Sequence, residues 1–163
     1  MTRKKFAETT EVPVTKTRAE LEELLTRYEA TATAIFTSAD HAAIAFEMQG
    51  RRIVMKLQLP DARDREFTHG RVNQYAGESL LSPEAAKAKH EKACRRKWRA
   101  LLLAVKAKLV AVEDGIETFE EAFMAHVVMP DGRTVADHIK PRIATAYREQ
   151  KMLPLLPYGG GDG

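Results

Sequence analysis

The hydrophobic and polar positions of this chain change period several times, and each change predicts an element. Leu21, Leu24, Leu25 and Tyr28 recur at helical spacing, with Glu22, Glu23 and Arg27 between them; that pattern predicts an amphipathic helix. Thr17 and Glu20 fit a capping box, so the helix is expected to open at Thr17. Val12-Pro13-Val14, just before it, reads as a short edge strand. The period then falls to two. Strands are expected near Thr31–Thr37, His41–Met48 and Arg51–Leu59, the last two joined by a Gln49-Gly50 hairpin turn. Ile44, Phe46 and Met48 share one face, as do Ile53, Met55, Leu57 and Leu59; alternation predicts one covered sheet face and one largely wet face.

Residues 60–81 show no period and read as an irregular connector carrying Arg63, Arg65, His69 and Arg71. Ser82-Pro83 then opens a long helix that Gly115 closes. Its ~31 residues span ~46 Å. Cys94, Trp98, Leu101, Leu102, Val105, Leu109 and Val112 form one apolar stripe, expected on the sheet. Thr118 and Glu121 form another capping box, opening a short helix toward His126. Pro130-Asp131-Gly132-Arg133 reads as a tight turn, either inside a small hairpin or directly before a helix capped by Thr134. A last helix carries Ile139, Ile143, Ala146 and Tyr147, and Pro141 within it predicts a kink or a restart. Met152–Pro157 reads as an extended arm.

The expected fold class is therefore α+β: an N-terminal helix, a three-stranded antiparallel sheet packed by one long helix, then a small helical C-terminal part. The expected organisation is a flexible tail at 1–11, an α-β-β-β-α core at 12–113, a helical appendage at 114–157 packed on that core, and a disordered tail at 158–163.

Composition adds limits. The chain of 163 residues is 44% apolar and 30% charged, with a single cysteine, Cys94. Such a chain suits one domain, without a disulfide framework, and a cytoplasmic location. It has no secretory leader pattern and no apolar run long enough for a membrane span.

Charge changes the picture more. Between Lys87 and Lys108 stand nine Lys or Arg and one acid, Glu91; this +8 segment leaves −5 for the remainder of a chain whose total is +3. Lys89, Lys92, Arg96 and Arg99 form a second stripe on the long helix, turned away from the apolar one. Several cations fall in the helix's first half, where the helix dipole disfavours them. A row of this kind suits phosphates, which gain free energy from counterion release. The candidate site is Lys89, Lys92, Arg95, Arg96 and Arg99, extended by Arg52 and Lys56 from the polar sheet face. Trp98 and Cys94 lie on the apolar stripe and read as core.

Catalytic chemistry finds little support. The five histidines make no pair at metal spacing, and there is no Walker loop, no Gly-x-Gly-x-x-Gly and no Gly-x-Ser-x-Gly. His126, Asp131, Asp137 and His138 sit close in sequence around a turn, which keeps an enzyme there as a minor alternative. No cofactor or metal is expected.

Two resemblances accompany these readings. The order helix, three strands, helix over 17–59 and from Lys87 resembles a double-stranded RNA-binding domain, whose second helix also presents basic residues near its start. Here the connector is longer and the last helix about twice the length. Separately, Val12-Pro13-Val14 with Arg18, Arg95–Leu103, Met129–Val135 and Leu153–Pro157 resemble small proteins carried on phage and prophage genomes. None of these runs carries a catalytic signature. That resemblance implies a mobile-element setting, in DNA metabolism or in interference with a host defence complex. The leading expectation is a non-enzymatic nucleic-acid-binding accessory protein, with DNA or RNA as partner. The alternative is a protein-binding modulator or inhibitor of a host nucleic-acid-binding or defence complex. A homodimer through the long helix is a further possibility, and no membrane partner is expected.

Overall fold

A computed structural model describes residues 10–71, 77–152 and 154. Most of the tail expected at 1–11, all of that at 158–163, and most of the arm expected at 152–157 lie outside the described residues. The chain runs α1 (Val14–Arg27), β1 (Ala32–Thr37), β2 (His41–Met48), β3 (Arg51–Gln58), α2 (Arg65–Thr68), β4 (His69–Arg71), β5 (Glu78–Leu80), α3 (Pro83–Glu113), α4 (Phe119–Phe123), a 3-10 turn (Met124–His126) and α5 (Val135–Glu149). The α+β class holds, with the N-terminal helix, the sheet, the long helix and the small helical end as expected.

The sheet is an antiparallel meander in the order β1-β2-β3. Gln49 and Gly50 both take positive φ, 50° and 71°, so the β2–β3 turn has the twist a two-residue hairpin needs. Alternation places Ala42, Ile44, Phe46 and Met48 of β2 and Ile53 and Met55 of β3 on one buried face. The covering layer is α1, through Leu21, Leu24 and Leu25, together with α3 and α4. Trp98, Leu101, Leu102, Val105 and Leu109 of α3 are buried in this core, in line with the apolar stripe.

Helix α1 starts earlier than expected, and Thr17 is not its cap. Pro13 occupies the N-cap at φ −58°, and no side chain caps the end. Thr17 lies one turn inside, on the face of Leu21 and Leu24, fully buried, with its hydroxyl unpartnered. Val12-Pro13-Val14 is accordingly a helix entry and not a strand.

The connector also has more structure than expected. It contains the α2 turn and the β4–β5 hairpin, in register from His69 opposite Leu80 to Arg71 opposite Glu78. This small lobe packs on the first half of α3. Phe67 is buried edge-on against His90 at 5.4 Å, and the His90 ring meets the Pro60 carbonyl at 2.8 Å.

The C-terminal part is anchored in the core. Thr118 and Glu121 form the expected capping box of α4. Phe123 is fully buried and meets Phe46 edge-on at 5.6 Å and Phe119 at 5.0 Å. Both readings of the 130–133 turn are realised together. Val128 bridges Thr134, and Thr134 caps α5 in a box with Asp137. Val127 and Val128 also cover part of the β3 edge, where the Val128 N–H donates to the Arg52 carbonyl at 2.8 Å. Helix α5 does not restart at Pro141. The Asp137 carbonyl, one turn back, loses the N–H that proline lacks; it accepts instead from the Arg133 guanidinium at 3.0 Å.

Candidate nucleic-acid interface

The long helix is two structures in one. From Trp98 to Glu113 it runs beside α1, roughly parallel to it. The Arg18 guanidinium sits 5.9 Å over the Trp98 ring, Glu20 meets Arg99, and the Tyr28 hydroxyl donates to Glu113 at 2.6 Å. That last bond raises the Tyr28 pKa above the ordinary phenol value. From Pro83 to Lys97 no helix residue is fully buried. This half is about 22 Å long, projects past the start of α1 and is flanked by the α2 and β4–β5 lobe. Its start is fixed by Ser82, whose hydroxyl accepts from the Ala85 N–H at 3.2 Å, with Pro83 at the first helical position.

The cations are set on this projecting half, with Arg99 just past its inner end. At 100° per residue, Lys89, Lys92, Arg96 and Arg99 fall within an arc of about 80° centred about 140° from Trp98. Burying the tryptophan therefore turns the row outward. Along the axis the row covers about 15 Å, the rise of about four phosphates on one strand of a duplex. Among the described residues, Lys92, Arg95, Arg96 and Lys97 make no ion pair with an acid. Lys89 donates to the His69 carbonyl at 3.2 Å, which leaves its charge uncompensated. Arg95 lies on the flank toward α1, half-buried, with Nε unpartnered. Arg99 differs: Glu20 holds it in a partly buried pair. Lys97, on the other flank, is a cation that the stripe pattern did not single out.

Arg52 and Lys56 are not continuous with this row. Ile53 and Met55 face the helices, so strand alternation puts Arg52 and Lys56 on the opposite sheet face. Each also has an acid nearby, Glu47 at 3.2 Å from Arg52 and Asp137 at 3.8 Å from Lys56. Arg52 borders a cleft of about 430 Å³ with Arg51, which itself faces Glu120 at 3.7 Å. The sequence-predicted set thus divides into a helical row and a separate, acid-paired couple. The arginines of the connector are paired too, Arg63 with Asp61 at 2.7 Å and Arg65 with Glu78 at 3.2 Å. The first pair holds the Asp61 carboxyl down at about 2.

The other candidate groups have structural partners. Trp98 is 2% exposed and offers no stacking surface. Burial pushes the Cys94 thiol above its ordinary value, which disfavours the thiolate. His138 Nε2 meets Asp131 at 2.8 Å, and Asp137 accepts from the Thr134 N–H and hydroxyl, so both acids hold the turn before α5. His126 is kept below the ordinary histidine range by burial, with Lys108 and Lys140 adding to the effect. Among the described residues no three His, Cys, Asp or Glu side chains gather as a metal site, and no helix is long and apolar enough to cross a membrane.

A projecting row of this kind, with only its inner member Arg99 held by an acid, can neutralise a run of phosphates. On the same half of the helix the Cys94 thiol lies 3.6 Å from His90 Nε2. No protein-family model matches the chain, and no curated protein and no solved structure matches it either.

Proposed function

We propose that this protein binds nucleic acid through the outward row Lys89, Lys92 and Arg96 of α3, with Arg95 on its flank and Arg99 at its inner end, and does no chemistry on it. One observation carries the reading. The half of α3 that the core does not need is the half that bears the uncompensated cations. A row of cations that neutralises the backbone suits an accessory role. A mobile-element setting, in DNA metabolism or in interference with a host defence complex, is part of this proposal.

The test is fluorescence anisotropy with labelled duplex DNA, duplex RNA and single strands at low salt. Binding should appear and should weaken on charge reversal in Arg96→Glu and Arg99→Glu. Absence of binding to all of these ligands would sink the proposal. A protein-binding modulator is the second reading, and it draws on the exposed apolar face of α5, where Tyr147 is 83% exposed and Ile143 42%. A host protein retained after nuclease treatment, with no affinity for free nucleic acid, would favour it.

A further inference from the structure

The two edges of the main sheet are treated differently. The β3 edge is partly covered by Val127 and Val128. Among the described residues no strand pairs with the outer side of β1, and every β1 residue except Ile35 is exposed. Monomeric proteins protect such an edge with charges, proline, a bulge or a covering element. Here Thr31 to Ala39 contains no charge and no proline, and β1 pairs with β2 in unbroken register from Ala32 to Thr37.

The register also says which groups are free. The Ser38 N–H donates to the His41 carbonyl at 2.8 Å. In an antiparallel ladder, alternate residues turn both backbone groups to the same neighbour. Ser38, Phe36, Ala34 and Ala32 therefore bond toward β2, and Thr33, Ile35 and Thr37 present N–H and C=O outward. That free set is its own complement. Centred on Ile35, an antiparallel second β1 puts Ile35 opposite Ile35 and Thr33 opposite Thr37, and their backbone groups exchange six hydrogen bonds. On the inner face the isoleucines meet beside Ile44, and the threonines pair as cross-strand threonines do. On the outer face Phe36, 61% exposed, packs over Ala34 of the other copy. No like charges meet anywhere between Thr31 and Ala39.

We propose that this chain forms a two-fold symmetric dimer by antiparallel pairing of β1 with β1 of a second copy, in register about Ile35, making a continuous six-stranded sheet. The axis is perpendicular to the sheet, so both α3 helices lie on one side of it. The dimer then carries two cationic ends on the same face, though the pairing itself does not depend on what those ends bind.

The test is sedimentation velocity of the full chain from about 1 to about 200 µM, a range that brackets micromolar association. A concentration-dependent dimer is expected. Hydrogen exchange should show protection of the Thr33, Ile35 and Thr37 amides rising with concentration. In A34K/F36K, both changes lie on the exposed outer face and set cation opposite cation twice per dimer; dissociation should rise about tenfold or more. In A34K/F36E the same positions are complementary, and association should return. A chain that stays monomeric at the highest concentration, or a dimer indifferent to the A34K/F36K and A34K/F36E pair of variants, overturns the proposal.

Discussion

Phe123→Ala tests whether the C-terminal part is an appendage or a piece of the core. The ring is fully buried, edge-on to Phe46 of β2 and tilted against Phe119. The Lys108 ammonium lies 5.7 Å over it while donating to the Ala122 carbonyl. Truncating a buried phenylalanine costs about 3–5 kcal/mol, including the cavity left behind. Two aromatic contacts place this site in the middle of that range or above, so about 4 kcal/mol is expected. Domains of this size have about 5–15 kcal/mol in total, and a urea slope of about 2 kcal/mol/M turns the loss into a midpoint shift of about 2 M. Trp98 is the only tryptophan and lies in the main core, so its fluorescence reports the α-β-β-β-α body directly. Far-UV circular dichroism on the same samples reports all helices. The two signals should move together. A loss below about 1 kcal/mol, or a Trp98 transition that stays put while helix signal melts early, would refute the packing described. Should the alanine variant fail to fold, Phe123→Leu gives the same comparison at about 1 kcal/mol.

Three further outcomes are expected. Gln49 sits at φ 50°, a conformation that favours asparagine over glutamine, so Gln49→Asn should raise stability by about 0.5 kcal/mol in urea unfolding. Because the folded state holds His126 below its ordinary value, the unfolded chain takes the proton first; the His126 contribution is intact above about pH 6.5 and is lost as pH falls below it. The drop in urea midpoint between neutral and mildly acidic buffer should therefore shrink in His126→Gln, and an unchanged drop would count against that burial. Glu20→Gln frees Arg99 from its acid partner, so it should steepen the salt dependence of nucleic-acid binding by about 0.9; an unchanged slope would remove Arg99 from the interface.

The strands and the long helix were legible because burial there follows one local period. β2 shows it cleanly, with every second residue buried from Ala42 to Met48. Ser82, Pro83 and Gly115 marked the bounds of α3 for equally local reasons. Thr17 misled because the same Thr-x-x-Glu spacing serves two ends. Thr17 is one more residue of the buried stripe, and Glu20 turns to Arg99, 79 positions away, and not to the helix terminus. The division of the basic set has a similar cause. Composition groups Arg52 and Lys56 with α3, but Ile53 and Met55 between and beside them fix the opposite face. Tertiary contacts to the small lobe, such as Lys89 on His69, leave no trace in either period. The bare β1 edge was likewise hidden, since an edge is defined by which strand is absent beside it.

The central claim is that the row on the projecting half of α3 meets phosphates. Its most direct test is the slope of log binding constant against log salt, for duplex ligand, with the wild-type chain and with Lys92→Ala/Arg96→Ala. The four cations of the set without an acid partner give a slope of up to about −3.6, and removing two should flatten it by about 1.8 with the urea midpoint unchanged. A slope that is the same in both chains, or no binding at about 20 mM salt where such contacts are strongest, would contradict the account.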